Sequence, residues 1–214
     1  MKQNQKTKLV MFDYDGVLID STHLPRLYYD QLAEVLGTRR FQTHDECREF
    51  LEANVKDSLQ RLGVNSPEQM KIAMELFHKN DELWKNLDLF PGVREMLLTL
   101  KERGYTLAIV SNNHAETIRH DLKKHDVLHF FDHVIDKQWG YKPAPDQILH
   151  CLKLTGVRAE EAVMIDDMDG GIIAARKANL KKAIGVSYGY QLPYRLRDAD
   201  IIVHSPKEII HVVE

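Results

Sequence analysis

Cysteine is scarce. The 214 residues hold two, Cys47 and Cys151, too few for a disulfide framework, and each reads as a small half-buried residue without a functional role. Long apolar runs are missing as well. No stretch approaches the ~20 residues a membrane span needs, and the polar stretch Met1 to Lys8 contains no signal-peptide core. A soluble, cytoplasmic chain with no membrane partner is expected. Nor is there an excess of charge of one sign. Against 29 Lys and Arg stand 32 Asp and Glu, a net charge of −3. A chain without a basic balance is a poor match for an obligate nucleic-acid binder. Internal repeats and low-complexity segments are absent. What is present is enough apolar material, 43%, for a real core. The length allows one large domain, or one with a smaller insertion.

Short apolar runs alternate with helical patterns. The strand candidates are Lys8 to Asp13, Thr106 to Ser111, His133 to Asp136, Ala162 to Asp167, Ala183 to Val186 and Asp200 to Val203. Near-continuous apolar strands imply burial on both faces, hence a parallel sheet covered by helices. Between them, a helix opening at Pro91 places Val93, Met96, Leu97 and Leu100 on one face and closes at Gly104. Further helices are expected over Ala115 to His125, Asp146 to Leu154 and Gly170 to Ala178, the last with Asn179 as a left-handed cap. This order predicts an α/β fold with a doubly wound, Rossmann-like parallel sheet.

From Ser21 to Leu89 the alternation stops. Leu27, Tyr28, Leu32, Val35 and Leu36 form a helical stripe ending at Gly37. Thr43 with Glu46, and Ser66 with Gln69, form capping boxes, the second followed by Pro67. Met70, Met74 and Phe77 recur at helical spacing. Residues 21–89 are therefore expected to form an all-helical domain inserted into an α/β domain made of residues 1–20 and 90–214. Its Met and aromatic stripes read as its own core. Arg26, Arg39 and Arg40 are candidates for a second anionic group, with surface salt bridges as the favoured role. His120, His125, His129 and His133 lack zinc-site spacing.

In an open parallel sheet, ligands bind beyond the carboxyl ends of the strands. Asp13 and Asp15, two apart after the first strand, can face one crevice, and Gly16 then lets the chain turn sharply. Asp166 and Asp167 end another strand. Carboxylates converging in this way repel one another, so a bound cation is expected. Oxygen ligands alone favour Mg²⁺ over zinc or copper.

The run Asp13-Tyr14-Asp15-Gly16-Val17-Leu18 resembles the first motif of the haloacid dehalogenase superfamily. Ser111 resembles the second motif and Lys142, in Lys142-Pro143-Ala144-Pro145-Asp146, the third. Asp166-Asp167, with Gly171-Ile172 and Ala174-Ala175 following, resembles the fourth. The four stand in the family's order. With the helical cap, the chain is similar to the phosphoglycolate phosphatase and β-phosphoglucomutase branch. The resemblance implies Mg²⁺-dependent hydrolysis of a small phosphorylated metabolite through an aspartyl phosphate. Asp13 would be the nucleophile and Asp15 the general acid and base. Ser111, the Asn112 N–H and Lys142 would bind the phosphoryl group. The metal would be held by Asp13, the backbone carbonyl of Asp15 and Asp167, with Asp166 binding it directly, through water, or orienting Lys142. Many phosphatase members carry Gly-Asp where this chain has Asp166-Asp167, and another Asp where it has Gly171. The arrangement here is closer to the β-phosphoglucomutase branch, so a phosphosugar mutase is the alternative, and a non-catalytic phosphate-binding protein a third. Residues Gly185 to Tyr190 resemble a late loop of phosphoglycolate-phosphatase-like members. A monomer or weak dimer is expected.

Overall fold

The computed structural model describes residues 6–79 and 87–214. After strand β1 (Leu9–Phe12) come four helices, α1 (Leu24–Leu36), α2 (His44–Phe50), α3 (Val55–Arg61) and α4 (Pro67–Lys79). Then follow α5 (Val93–Glu102), β2 (Thr106–Val110), α6 (Ala115–Lys124), β3 (His133–Ile135), α7 (Asp146–Thr155), β4 (Ala162–Asp166), α8 (Asp169–Lys177), β5 (Lys182–Val186), β6 (Ile201–Val203) and α9 (Pro206–Val212). The strands make one sheet in the order β3-β2-β1-β4-β5-β6, every neighbouring pair parallel.

The period of two along each strand divides its side chains between two apolar layers. Val10, Phe12, Leu107, Ile109, Val163 and Ile165 meet residues of α5, α6 and α9. Leu9, Met11, Ala108, Val110, Ala162 and Met164 meet residues of α7 and α8. Both faces are covered, as the apolar runs require. From β1 the sheet grows outward through β2 and β3, then resumes on the other flank with β4. The strand order thus reverses between β1 and β4, where Phe12 is in register with Ile165. Asp13 and Asp166 consequently emerge side by side at the carboxyl edge of the sheet, at the switch point where such folds bind ligands.

The helical insertion leaves and returns through two short antiparallel segments. Asp20 N–H donates to the Asp88 carbonyl at 2.8 Å and Phe90 N–H to that of Leu18 at 3.0 Å. Helices α1 to α4 enclose a third apolar cluster containing Tyr28, Tyr29, Leu32, Phe41, Phe50 and Leu59, which Tyr190 and Met168 join from the sheet side. Both capping boxes form: Glu46 N–H donates to Thr43 Oγ1, and Gln69 N–H to Ser66 Oγ, each at 3.1 Å.

The structure corrects two expectations and adds one helix, α3, that no sequence pattern marked. The stripe on α1 consists of Leu24, Tyr28, Tyr29 and Leu32, whereas Leu27 is 44% exposed and Val35 57%. Spacing of four from Leu24 sets the buried face, and Leu27 and Val35 fall beside it. Helix α3 lacks a readable stripe because only Ser58 and Leu59 of its seven residues are buried. It starts at Asn54, whose side chain accepts from the N–H groups of Lys56 and Asp57. Helix α5 starts at Val93 instead of Pro91, because Gly92 at φ 92° serves as its N-cap. Asn179 is left-handed, as expected, at φ 55°. Cys47 and Cys151 are free and fully buried. Among the described residues, no helix is long and apolar enough to cross a membrane.

Leu97 on α5 is fully inaccessible within the first apolar layer. Leu97→Ala should lower the unfolding free energy by about 2–5 kcal/mol. Urea denaturation should show this as a lower midpoint with an unchanged slope.

Candidate active site

Asp13 directly follows β1, and its N–H donates to the Ile165 carbonyl of β4 at 2.9 Å. One carboxylate oxygen from each of Asp13, Asp166 and Asp167 falls within a 4.8 Å cluster, and all three residues are buried. Lys142, on the loop before α7, enters this group. Its Nζ stands 2.9 Å from Asp13 Oδ2 and 2.7 Å from Asp166 Oδ2. Burial alone would push the ammonium down, but the charges of Asp13 and Asp166 outweigh it and hold the group above its ordinary value.

The two adjacent acids are held differently. Asp166 Oδ2 takes the Lys142 ammonium and Oδ1 accepts the Met168 N–H at 3.0 Å, so both of its oxygens have donors. Asp167 Oδ2 accepts the Tyr190 N–H at 2.5 Å, but Oδ1 is buried with no partner. Burial, reinforced by the charges of Asp166 and Asp13, raises Asp167 well above the usual carboxylate range. A buried, unpaired carboxylate oxygen beside two further carboxylates is costly. One ammonium cannot balance three acids, so the donor set fits an oxygen-preferring divalent cation at Asp167 Oδ1 and Asp13.

Asp15 stands apart from that trio. Its Oδ2 accepts from Asn113 Nδ2 at 2.9 Å and its Oδ1 from Ser21 Oγ at 3.2 Å. Burial pushes its pKa up to about 7, with the Asp13 charge adding and the two hydrogen bonds opposing. Tyr190 contributes twice, since its hydroxyl donates to Ser21 Oγ at 2.6 Å while its N–H holds Asp167. Ser111 is nearly inaccessible, and its hydroxyl accepts the Asn113 N–H at 3.2 Å. The Asn112 side chain brackets Lys142 by accepting its N–H at 2.9 Å and donating to its carbonyl at 3.4 Å.

Glycines make room for the acids, Gly16 and Gly171 among them. Gly16, at φ 72°, would place a Cβ 2.0 Å from Asp167 Oδ2. A Cβ on Gly171 would lie 1.8 Å from Asp166 Oδ2. The Asp166 carboxylate thus fills the space that a side chain at 171 would take. An acid at one position therefore excludes an acid at the other, which explains how this chain differs from members with Gly-Asp and a later Asp.

A cavity of about 340 Å³ separates these residues from the insertion. Asp13, Asp15, Ser111, Asn112, Lys142 and Asp166 line its sheet side. The insertion is fastened to the loop after β5. Arg48 of α2 donates to the carbonyls of Ser187, Tyr190 and Gln191 at 2.9, 3.2 and 3.1 Å. Asn113, Ser21, Tyr190 and Arg48 were missed in the sequence. Asn113 was in view beside Asn112, whereas the other three act through pairings no local pattern reveals. Arg26, Arg39 and Arg40 pair with Asp30, Glu46 and Glu34 and do not line the cavity. His120 pairs with Asp121, and His125 Nε2 contacts the Leu87 carbonyl.

Known proteins resemble this chain in sequence and fold. A phosphoglycolate phosphatase from Vibrio cholerae is 29% identical over 194 residues, covering 86% of this chain and 85% of that protein. Pyrophosphatase PpaX from Halalkalibacterium halodurans is 28% identical over 208 residues, covering 95% of each. A haloacid dehalogenase-like family hydrolase from Streptococcus pneumoniae superposes with a TM-score of 0.83 at 22% identity, covering 97% of this chain and 99% of that one, a likeness of fold. The family model for haloacid dehalogenase-like hydrolases matches residues 10–185, and the chain belongs to that family.

Proposed function

We propose that this enzyme is a Mg²⁺-dependent phosphatase that hydrolyses a small phosphomonoester through an aspartyl phosphate on Asp13. The observation that carries this reading is the cluster of Asp13, Asp166 and Asp167, the last with an unpartnered oxygen, around Lys142, with Asp13, Asp15 and Lys142 lining one cavity. The names of the Vibrio and Halalkalibacterium relatives support a phosphorylated substrate. Residues 21–89 act as a cap over that cavity.

Asp13 attacks phosphorus, and the bond to the ester oxygen breaks. Its partner Lys142 stays protonated and offers positive charge to the incoming phosphoryl oxygens. The Ser111 hydroxyl and the Asn112 N–H bind the remaining oxygens. Raised to about 7 by burial, Asp15 is protonated in a large share of the molecules at neutral pH and gives that proton to the departing alkoxide. The resulting Asp15 carboxylate then takes a proton from the water that attacks the aspartyl phosphate, which frees phosphate and restores Asp13. Mg²⁺, held by Asp13, the Asp15 carbonyl and Asp167, would screen the repulsion between nucleophile and phosphate. Asp166 orients Lys142 through Oδ2 and, as part of the same carboxylate cluster, supports the metal directly or through water.

Asp13→Asn should reduce phosphate release by about 10³-fold or more while the far-ultraviolet dichroism stays unchanged. Retained turnover would remove Asp13 from the nucleophile's role, and EDTA should silence the native enzyme until Mg²⁺ is restored. For Asp15→Asn, steady-state turnover should fall about 10²- to 10⁴-fold. With 4-nitrophenyl phosphate, whose phenolate leaves without a proton, rapid mixing should still show a stoichiometric burst of 4-nitrophenol. A variant without that burst would contradict the two-stage role. Gly171→Asp and Asp166→Gly should each impair stability and activity. The double variant should recover both, with a favourable coupling of about 1–3 kcal/mol in a double-mutant cycle. Strict additivity would mean that the two positions do not share one space.

A further inference from the structure

The wall that the insertion turns toward the acids is aromatic and apolar. It presents Tyr28 and Tyr29 of α1, Leu51 after α2, Val55 of α3 and Phe77 of α4. The tyrosine hydroxyls are engaged elsewhere. Tyr28 donates to the Ala73 carbonyl at 2.9 Å, and Tyr29 hydrogen-bonds Ser58. The rings brace one another, with Tyr28 packing edge-on against Phe77 and tilted against Tyr29, centroids 5.4 Å apart in each case. They therefore offer fixed ring surface to the cavity.

Among the described residues, the insertion sends no lysine or arginine to this wall. Apart from the tyrosines, its ionisable members are His78 and Glu52, the latter with its two oxygens taken by Arg61 at 2.7 Å and Arg195 at 2.9 Å. On the sheet side Lys142 is committed to Asp13 and Asp166, which leaves Lys137, on the turn after β3, as the rival ammonium for a second anion, with the imidazoles of His78 and His114 as weaker ones. A carboxylate or second phosphate on the substrate would face ring surfaces of negative potential and a glutamate, away from water. A two-carbon acid would also fill little of a 340 Å³ cavity, a size suited to a larger ligand body.

Building on the phosphatase reading above, we propose that the substrate is the phosphomonoester of an uncharged alcohol carrying an aromatic ring. The ring lies against Tyr28 and Phe77, which set specificity by apolar contact. A small phosphorylated carboxylic acid or a diphosphate is a poor substrate for this site, although those are the substrates that the relatives' names specify.

The test compares initial rates of phosphate release by the full chain, with Mg²⁺, from benzyl phosphate, ethyl phosphate, phosphoglycolate and pyrophosphate. Benzyl and ethyl phosphate are both esters of primary alcohols, so chemistry at phosphorus is matched and the ring is the variable. The benzyl ester should exceed the other three in kcat/KM by about 10-fold or more. Phe77→Ala should lower the benzyl rate far more than the ethyl rate and so erase the benzyl advantage. If Phe77→Ala loses both activities through misfolding, Phe77→Leu keeps packing volume without the ring and carries the same comparison. A variant that lowers both esters equally overturns the role of Phe77. Phosphoglycolate or pyrophosphate outpacing the benzyl ester overturns the inference but leaves the phosphatase reading standing. Loss of that preference in Lys137→Met would then assign the second anion to Lys137. No phosphate from any of the four overturns both.

Discussion

A single buried ammonium governs the carboxyl edge of this sheet. Parallel pairing of β1 with β4 forces Asp13 and Asp166 to emerge as neighbours, and Asp167 follows at once. Three acids so placed would repel one another strongly away from water. Lys142 answers two of them at 2.9 and 2.7 Å. The rest of the site serves that contact. Asn112 fixes the Lys142 backbone from both sides, Gly171 vacates the space Asp166 needs, and Met168 N–H completes the second oxygen of Asp166. What the ammonium leaves unbalanced is one oxygen of Asp167, where a divalent cation has its place.

Much of this was legible in the chain itself. Continuous apolar runs ending in acid announced β1 and β4 and the carboxyl edge where Asp13, Asp166 and Asp167 collect. The apolar face of α5 was likewise plain, whereas α7 buries Gln147, Ile148 and Cys151 and leaves Leu149 exposed. The insertion was harder to read. Helix α3 contributes only Ser58 and Leu59 to the interior, too little for a periodic signal. On α1, Leu27 and Val35 satisfied the spacing of a stripe yet face solvent, because a helix packed on one side buries a narrower face than its apolar residues suggest. The support of Asp15 was hidden for a different reason. Asn113, Ser21 and Tyr190 reach it or one another across 98 and 169 residues of chain, and no local pattern encodes such meetings.

The two halves of the cavity divide the labour by composition. The sheet supplies nearly all the charge and hydrogen-bonding capacity, concentrated on rigid strand ends and the turns that follow them. The insertion supplies rings and aliphatic surface whose polar atoms are already satisfied. Groups that must be held to a few tenths of an ångström sit on the element best able to hold them. The ring-bearing surface sits on helices instead of on the strand ends that carry the acids.

The two halves are nonetheless tied together at several points, Arg48 among them. Its guanidinium grips three carbonyls of the loop carrying Tyr190. Tyr190 in turn touches Asp167 through its N–H and Asp15 through Ser21. Roof and floor thus share one hydrogen-bonded chain, running from α2 through a single loop to two of the acids.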